Sequence, residues 1–186
     1  MSEPYVESFY RSHRDLADFL IANGQPTFAA DANENFRRSL ILAIASFFEH
    51  EICEIVRSLP ARHARGNPFL TELVAQKAVA RQYHTYFEWD KPNANKFFSM
   101  FGAEYKAASQ RKVDEDPDFK TSVQAFLSLG ETRNQMVHQN YLQFPLDLSS
   151  DDIILKFRQA QRFVEYVRET LLPAEEQEEV APAAST

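Results

Sequence analysis

The 186-residue chain has one cysteine, Cys53, and only four glycines. A lone thiol builds neither an internal disulfide framework nor a cysteine-based zinc cluster, and it suits a reducing compartment. So few glycines, beside 16 Phe and 7 Tyr, argue against a turn-rich β protein. They point to helices packed through large aromatic side chains. No apolar run approaches ~18 residues, so no segment is expected to span a membrane. The opening MSEPYVESFY lacks the basic and apolar regions of a signal peptide, and a cytoplasmic location is expected. Positive charge is also short. The net charge is −7, and the four Glu of EEQEEVAPAAST account for part of it, leaving −3 for the rest. A body of that charge is no broad polyanion binder, so any contact with a polyanion has to run through local patches.

What the chain does have is helical periodicity. With 44% apolar and 25% charged residues it is long enough for one domain with a sizeable core. The domain is placed at residues 1–173, and the acidic tail, 174–186, is expected to be disordered. Residues 3–22 put Tyr5, Phe9, Leu16, Phe19 and Leu20 on one helical face, with Asn23-Gly24 as the stop. A long helix is predicted over 32–59, ended by Pro60. Leu40, Ile44, Phe47 and Ile55 form one apolar side of it, and Ile41, Ala45, Ile52 and Val56 continue round to Leu42. An arc that wide is covered twice: the helix either sits centrally in a bundle or meets another subunit. The stretch 57–68, RSLPARHARGNP, is basic and bracketed by prolines. It reads as a solvated connector or as a phosphate-contacting patch through Arg57, Arg62 and Arg65. Helices follow over 69–87 and 94–110, broken at Asp90-Lys91-Pro92. Asp116 and Pro117 then suit the start of a helix running to Tyr141. A last helix opens at Ser149 or Ser150 and runs through Leu172, striped by Ile153, Ile154, Phe157, Ala160, Val164, Val167 and Leu171. The fold class is all-α: a helical bundle with an extra helical insertion in its middle.

Chemistry concentrates on the helix FKTSVQAFLSLGETRNQMVHQNY, whose buried stripe is predicted to be Phe119, Val123, Phe126 and Val137. Near its end stands RNQMVH. Asn134 and His138 are i,i+4 neighbours, and the planar fork of Arg133 reaches the same spot. An imidazole, an amide and a fixed positive charge converging at one point suit work on a phosphodiester. The plain alternative is a polar patch that satisfies helix ends. By composition, Arg followed five residues later by His has about one chance in five in a chain this long, and Asn after the Arg cuts this to about one in a hundred. Arg57 and His63 offer a looser match, but Pro60 between them is expected to break the helix. Glu51 lies within the first apolar side of the long helix. Glu49, on the second, either pairs with Arg133 or is a rim charge, and Glu51 is the competing partner. His50 and His84 read as surface or core histidines rather than metal ligands. Gly102 and Gly130 read as close-packing positions.

RNQMVH, late in a helix of an all-α chain of this size, resembles the signature of the HEPN superfamily (higher eukaryotes and prokaryotes nucleotide-binding). That signature is Arg, usually a polar residue next, and His after four to six intervening positions. SFFEHEI at 46–52 resembles the aromatic-Glu segment of the RiboL-PSP-HEPN branch, and KPNANKFFSMFG at 91–102 resembles its Pro-Asn, Phe, Phe-Gly segment. The resemblance covers roughly 36–172. It implies a bundle of four to five core helices that forms a homodimer, with two motif helices facing across a shared cleft. It further implies a metal-independent endoribonuclease without cofactor, of the kind found as toxins or in antiphage defence, with an antitoxin or defence-system partner. On that resemblance His138 handles the proton of a ribose 2′-hydroxyl, Arg133 binds the scissile phosphate, and Asn134 orients them, with Glu49 as a supporting acid. The product would be a 2′,3′-cyclic phosphate. A HEPN-like module that binds RNA, a signal or a protein without catalysis is the second reading. Tyr141 comes three residues after His138, whereas the modified Tyr of nucleotidyltransferase-paired HEPN toxins comes two after, so the resemblance does not extend to that control.

Overall fold

The computed structural model describes residues 3–141 and 143–173; the acidic tail lies outside them. The chain forms α1 (Glu3–Ala22), α2 (Pro26–His63), α3 (Pro68–Leu73), a π-helical turn (Val74–Val79), α4 (Tyr83–Tyr86), α5 (Asn95–Ser99), α6 (Ala103–Glu115), α7 (Pro117–His138) and α8 (Ser150–Leu171). Among the described residues there is no strand, and no helix is long and apolar enough to cross a membrane.

The rod of the bundle is α2, about 57 Å long at 1.5 Å per residue. Its wide apolar arc is covered within this one chain. Phe47 and Phe48 meet Phe157 of α8 at 5.5 Å between ring centroids, and Phe48 also meets Phe126 of α7 at 5.3 Å. The π turn and α1 close the remaining sides. Of the two ways to cover this helix, the central position in a bundle is the one observed. Contrary to expectation, α2 does not stop at Pro60, which is buried inside it. Proline removes one N–H near the helix end, where few bonds are at stake. The Pro60 carbonyl still accepts from Ala64 and Gly66, and His63 Nε2 lies 2.7 Å from the Leu171 carbonyl.

The two final helices run antiparallel. Phe119, early in α7, lies 4.6 Å from Tyr166, late in α8, while Glu131 of α7 shares a groove with Lys156 of α8. Asp116 caps α7 by accepting from the Phe119 N–H at 2.9 Å. Ser149 and Asp152 open α8 with a reciprocal capping box, and all seven residues of its expected stripe are buried. On α7 the stripe ends differently: Met136 is buried and Val137 is exposed. Phe126 is the centre of the core, with Phe163, Phe87, Phe48 and Trp89 between 4.8 and 6.1 Å.

Further expectations are corrected. The helix foreseen over 69–87 is broken into α3, the π turn and α4, because Ala80 turns extended and Arg81 takes φ +59°. The helix over 94–110 is split by Gly102 at φ +100°, where nothing lies close enough for a side chain to meet, so backbone conformation rather than tight packing selects that glycine. On α1 the docked face is also not the greasiest one. Val6, Tyr10 and His13 are buried, while Tyr5, Phe9, Leu16 and Phe19 face outward and Leu20 is half-buried. The docked polar groups have partners: the Tyr10 hydroxyl donates to Asp151, and His13 faces Asn33. Satisfied polar tips make that face cheap to bury.

Candidate active site

The second half of α7 is one wall of a cleft of about 560 Å³. Its floor is apolar, with Ala45 and Phe48 from α2 and Phe126 and Leu129 from α7. Gly130, Asn134 and His138 succeed one another at intervals of four, so each is presented on the same stripe. Arg133 and Asn134 are half-buried and His138, the last residue of the helix, is exposed. Arg133 Nη1 donates to Asn134 Oδ1 at 3.1 Å, which fixes the guanidinium on the cleft side. Glu49 comes to the same cleft from α2 as an exposed rim carboxylate. Among the described residues no ion pair joins it to Arg133, and Glu51, the competing acid, is engaged by Arg168 of α8.

The three arginines set aside as a phosphate-contacting patch do not line this cleft. Arg57 is exposed and paired with Glu54, Arg62 is half-buried in the last turn of α2, and Arg65 follows at φ +50°. Because α2 continues through Pro60, Arg57 and His63 do share a rigid helix. What separates them from Arg133 and His138 is placement: His63 is held against the end of α8.

The opposite wall comes from the broken insertion, and periodicity gave no warning of it. Arg81, Tyr83, His84 and Trp89 all line the cleft. Arg81 and His84 sit three apart beside a backbone reversal, a pattern with no sequence signature. The exposed His84 therefore belongs to the site, whereas His50 is exposed on α2 outside it. Burial pushes the Tyr83 phenol well above its ordinary value of 10, with Glu49 and Cys53 adding to the effect and Arg133 opposing it. Tyr83 is thus a neutral hydroxyl near pH 7. Trp89 packs closely over Gly130, where a Cβ would fall 2.0 Å from indole Cζ3. Its Nε1 donates to the His84 carbonyl at 3.1 Å. Gly130 is accordingly a close-packing position, as its place in the helix suggested.

The cleft presents guanidinium, imidazole and amide groups beside an aromatic wall. Guanidinium suits a phosphate, imidazole suits proton transfer, and aromatic faces suit an unstacked base. No curated protein and no solved structure matches the chain. The family model for RiboL-PSP-HEPN matches residues 7–172, from within α1 to the end of α8. That span begins earlier than the motifs alone indicated and takes in α1. With nearly the whole described chain matched and an all-helical bundle observed, the chain belongs to the RiboL-PSP-HEPN family.

Proposed function

We propose that this cleft cleaves RNA as a metal-independent endoribonuclease, acting in the cytoplasm within a toxin or antiphage defence system. The reading is carried by one observation: Arg133, Asn134 and His138 open together into a solvent-accessible cleft. His138 takes the proton from a ribose 2′-hydroxyl. Arg133 binds the phosphate as charge builds on it, held in place through Asn134. The products are a 2′,3′-cyclic phosphate and a 5′-hydroxyl, and DNA is not cut. In the homodimer that family membership suggests, the two motif helices would face each other across one shared cleft, and an antitoxin or other partner would cover it.

The test is incubation of the purified chain with RNA in EDTA, with Arg133→Ala and His138→Ala in parallel. Each variant is expected to lose on the order of 10²-fold or more in rate. Cleavage that persists in both would remove this site. Light scattering of the same samples reports whether the chain is a dimer. A second reading, a module that binds RNA, a signal or a protein without cutting, is favoured by the acidic net charge and by Glu49 in the rim. Saturable RNA binding with no cleavage on any substrate would select it.

A further inference from the structure

A carboxylate on the rim of a cleft that takes phosphate repels the ligand, and a hydrogen-bond donor on that ligand offsets the cost. Glu49 is such a group. No ion pair among the described residues joins it to Arg133, and Arg168 engages its neighbour Glu51 instead. RNA brings donors of its own, and its N–H groups belong to the bases. We propose that the cleft selects guanine, with Glu49 accepting from its N1–H and N2 amine and the Tyr83 hydroxyl donating to its O6. This inference rests on the reading of the cleft as an RNA site.

Glu49 enters the cleft from α2 and Tyr83 from the opposite wall. The two lie close enough to interact. Burial and then the Glu49 charge raise the Tyr83 phenol, while Arg133 acts on the same phenol in the opposite sense. The phenol keeps its proton and is a donor. One end of the cleft thus offers two acceptor oxygens and a hydroxyl, near the guanidinium that takes the phosphate. The wall behind them is aromatic and fixed. Trp89 is clamped by its packing over Gly130 and by its Nε1 bond to the His84 carbonyl, and the Tyr83 ring lies 5.7 Å from it between centroids. Rings already held in place suit an unstacked base. At about 560 Å³ the cleft is large enough to admit a nucleotide.

The pattern of polar groups singles out one base. Guanine sets two adjacent donors beside an acceptor, the complement of a carboxylate beside a hydroxyl. Adenine and cytosine each place a ring nitrogen next to their amine, so the second carboxylate oxygen would face an acceptor. Uracil sets its single N–H between two carbonyls. Mismatches of this kind reject the wrong base as effectively as good contacts hold the right one. The insertion then chooses the base, and the α7 motif, in one copy or across two, keeps the chemistry.

Trp89 is the only tryptophan of the chain, so its fluorescence reports on the cleft directly. The full chain is titrated with the four nucleoside 3′-monophosphates and with inosine 3′-monophosphate, which lacks the N2 amine. The same five bases are placed in turn at one position of a short RNA for cleavage assays. Guanosine monophosphate is expected to bind about tenfold or more tighter than the other four, with kcat/KM in the same order. Glu49→Gln should bring guanosine down to the level of inosine, and Tyr83→Phe should weaken guanosine binding about threefold. If Glu49 only supports Arg133, Glu49→Gln lowers the rate at every base alike and leaves the guanine-to-inosine ratio intact, which overturns the proposal. Equal binding of all five nucleotides also overturns it. Cleavage without base preference does the same while leaving RNA cleavage at Arg133 and His138 standing. Selective binding of guanosine by a chain that cuts no RNA removes the cleavage reading alone. Guanosine 5′-triphosphate is the last titrant: binding tighter than that of the guanine-bearing RNA makes a free nucleotide the ligand and overturns RNA as its source.

Discussion

At Gly130 the backbone of α7 touches an indole, and no side chain fits between them: Cζ3, Cε3 and Cη2 of Trp89 would all lie within 2.9 Å of an added Cβ. The ring cannot move aside easily, being packed against Phe87 at 4.9 Å and tethered to the His84 carbonyl. Gly130→Ala should therefore cost about 1–3 kcal/mol of stability, read from a urea midpoint, and should slow cleavage by displacing the opposite wall of the cleft. A variant as stable and as active as the parent would show that the indole is not a clamp. Arg81 makes the reverse prediction. Its left-handed backbone conformation suits glycine better, by about 1 kcal/mol. Arg81→Gly should leave stability equal or raised while weakening RNA binding and flattening its salt dependence. The two residues explain why part of the site was illegible. RNQMVH carries its spacing in the sequence, whereas Arg81, His84 and Trp89 become neighbours of it only through a backbone reversal and a missing methyl group.

The elements that hold the site are docked by polar contacts as much as by apolar ones. On α1 the His13 ring stacks on Phe36 at 3.7 Å, and its Nε2 lies 3.3 Å from Asn33 Oδ1, which also accepts from the Ser150 hydroxyl. A carbonyl oxygen only accepts, so Nε2 carries the proton of the neutral ring. Burial holds His13 below its ordinary value of 6.5, and the Asn33 contact offsets part of that. As pH falls the unfolded chain binds the proton first. The stability tied to a neutral His13 is thus complete above pH 6.5 and is lost as pH drops through the lower value of the folded ring. A urea midpoint that declines in this interval, and declines less in His13→Gln, is the expected result. The carboxyls of Glu7, Asp116 and Asp152 are all held below their ordinary values, so their contribution is lost in more acidic solution. Beyond α7, the loop is pinned to α2 by two arginines. Arg38 donates to the Phe144 carbonyl at 3.1 Å, and Arg37 to those of Leu146 and Leu148 at 2.7 and 3.0 Å. Arg38 is buried, so Arg38→Met should cost about 1–3 kcal/mol by leaving a carbonyl without its donor.

For the molecule as a whole, charge sets the terms on which RNA approaches. The body carries −3 and residues 175–186 add four negative charges, so the chain repels a polyanion at long range. Removing residues 174–186 should strengthen RNA binding at low ionic strength, with the gain fading once the Debye length falls below about 8 Å. Titrations of the full and shortened chains across a salt series measure this directly. An unchanged affinity at low salt would mean that the cleft contacts alone govern binding. Both apolar sides of α2 are covered by its own neighbours, while apolar side chains of α1 and α3 face outward.

By itself the sequence determined the helical class, the cap at Asp116, a cap for α8 at Ser149 or Ser150, the stripe of α8, and the placing of Arg133, Asn134 and His138 on one helix. These are local: a cap needs three residues, a stripe repeats every third or fourth, and a motif on one helix carries its geometry with it. Tertiary structure alone decided the rest. It carried α2 through Pro60, because packing and the His63 contact at the helix end outweighed one lost N–H. It chose the docked face of α1, because Tyr10 and His13 found partners that hydrophobicity does not count. And it folded the broken insertion over α7, making a cleft from groups about fifty residues apart, since no period along a chain records which distant residues a reversal will bring together.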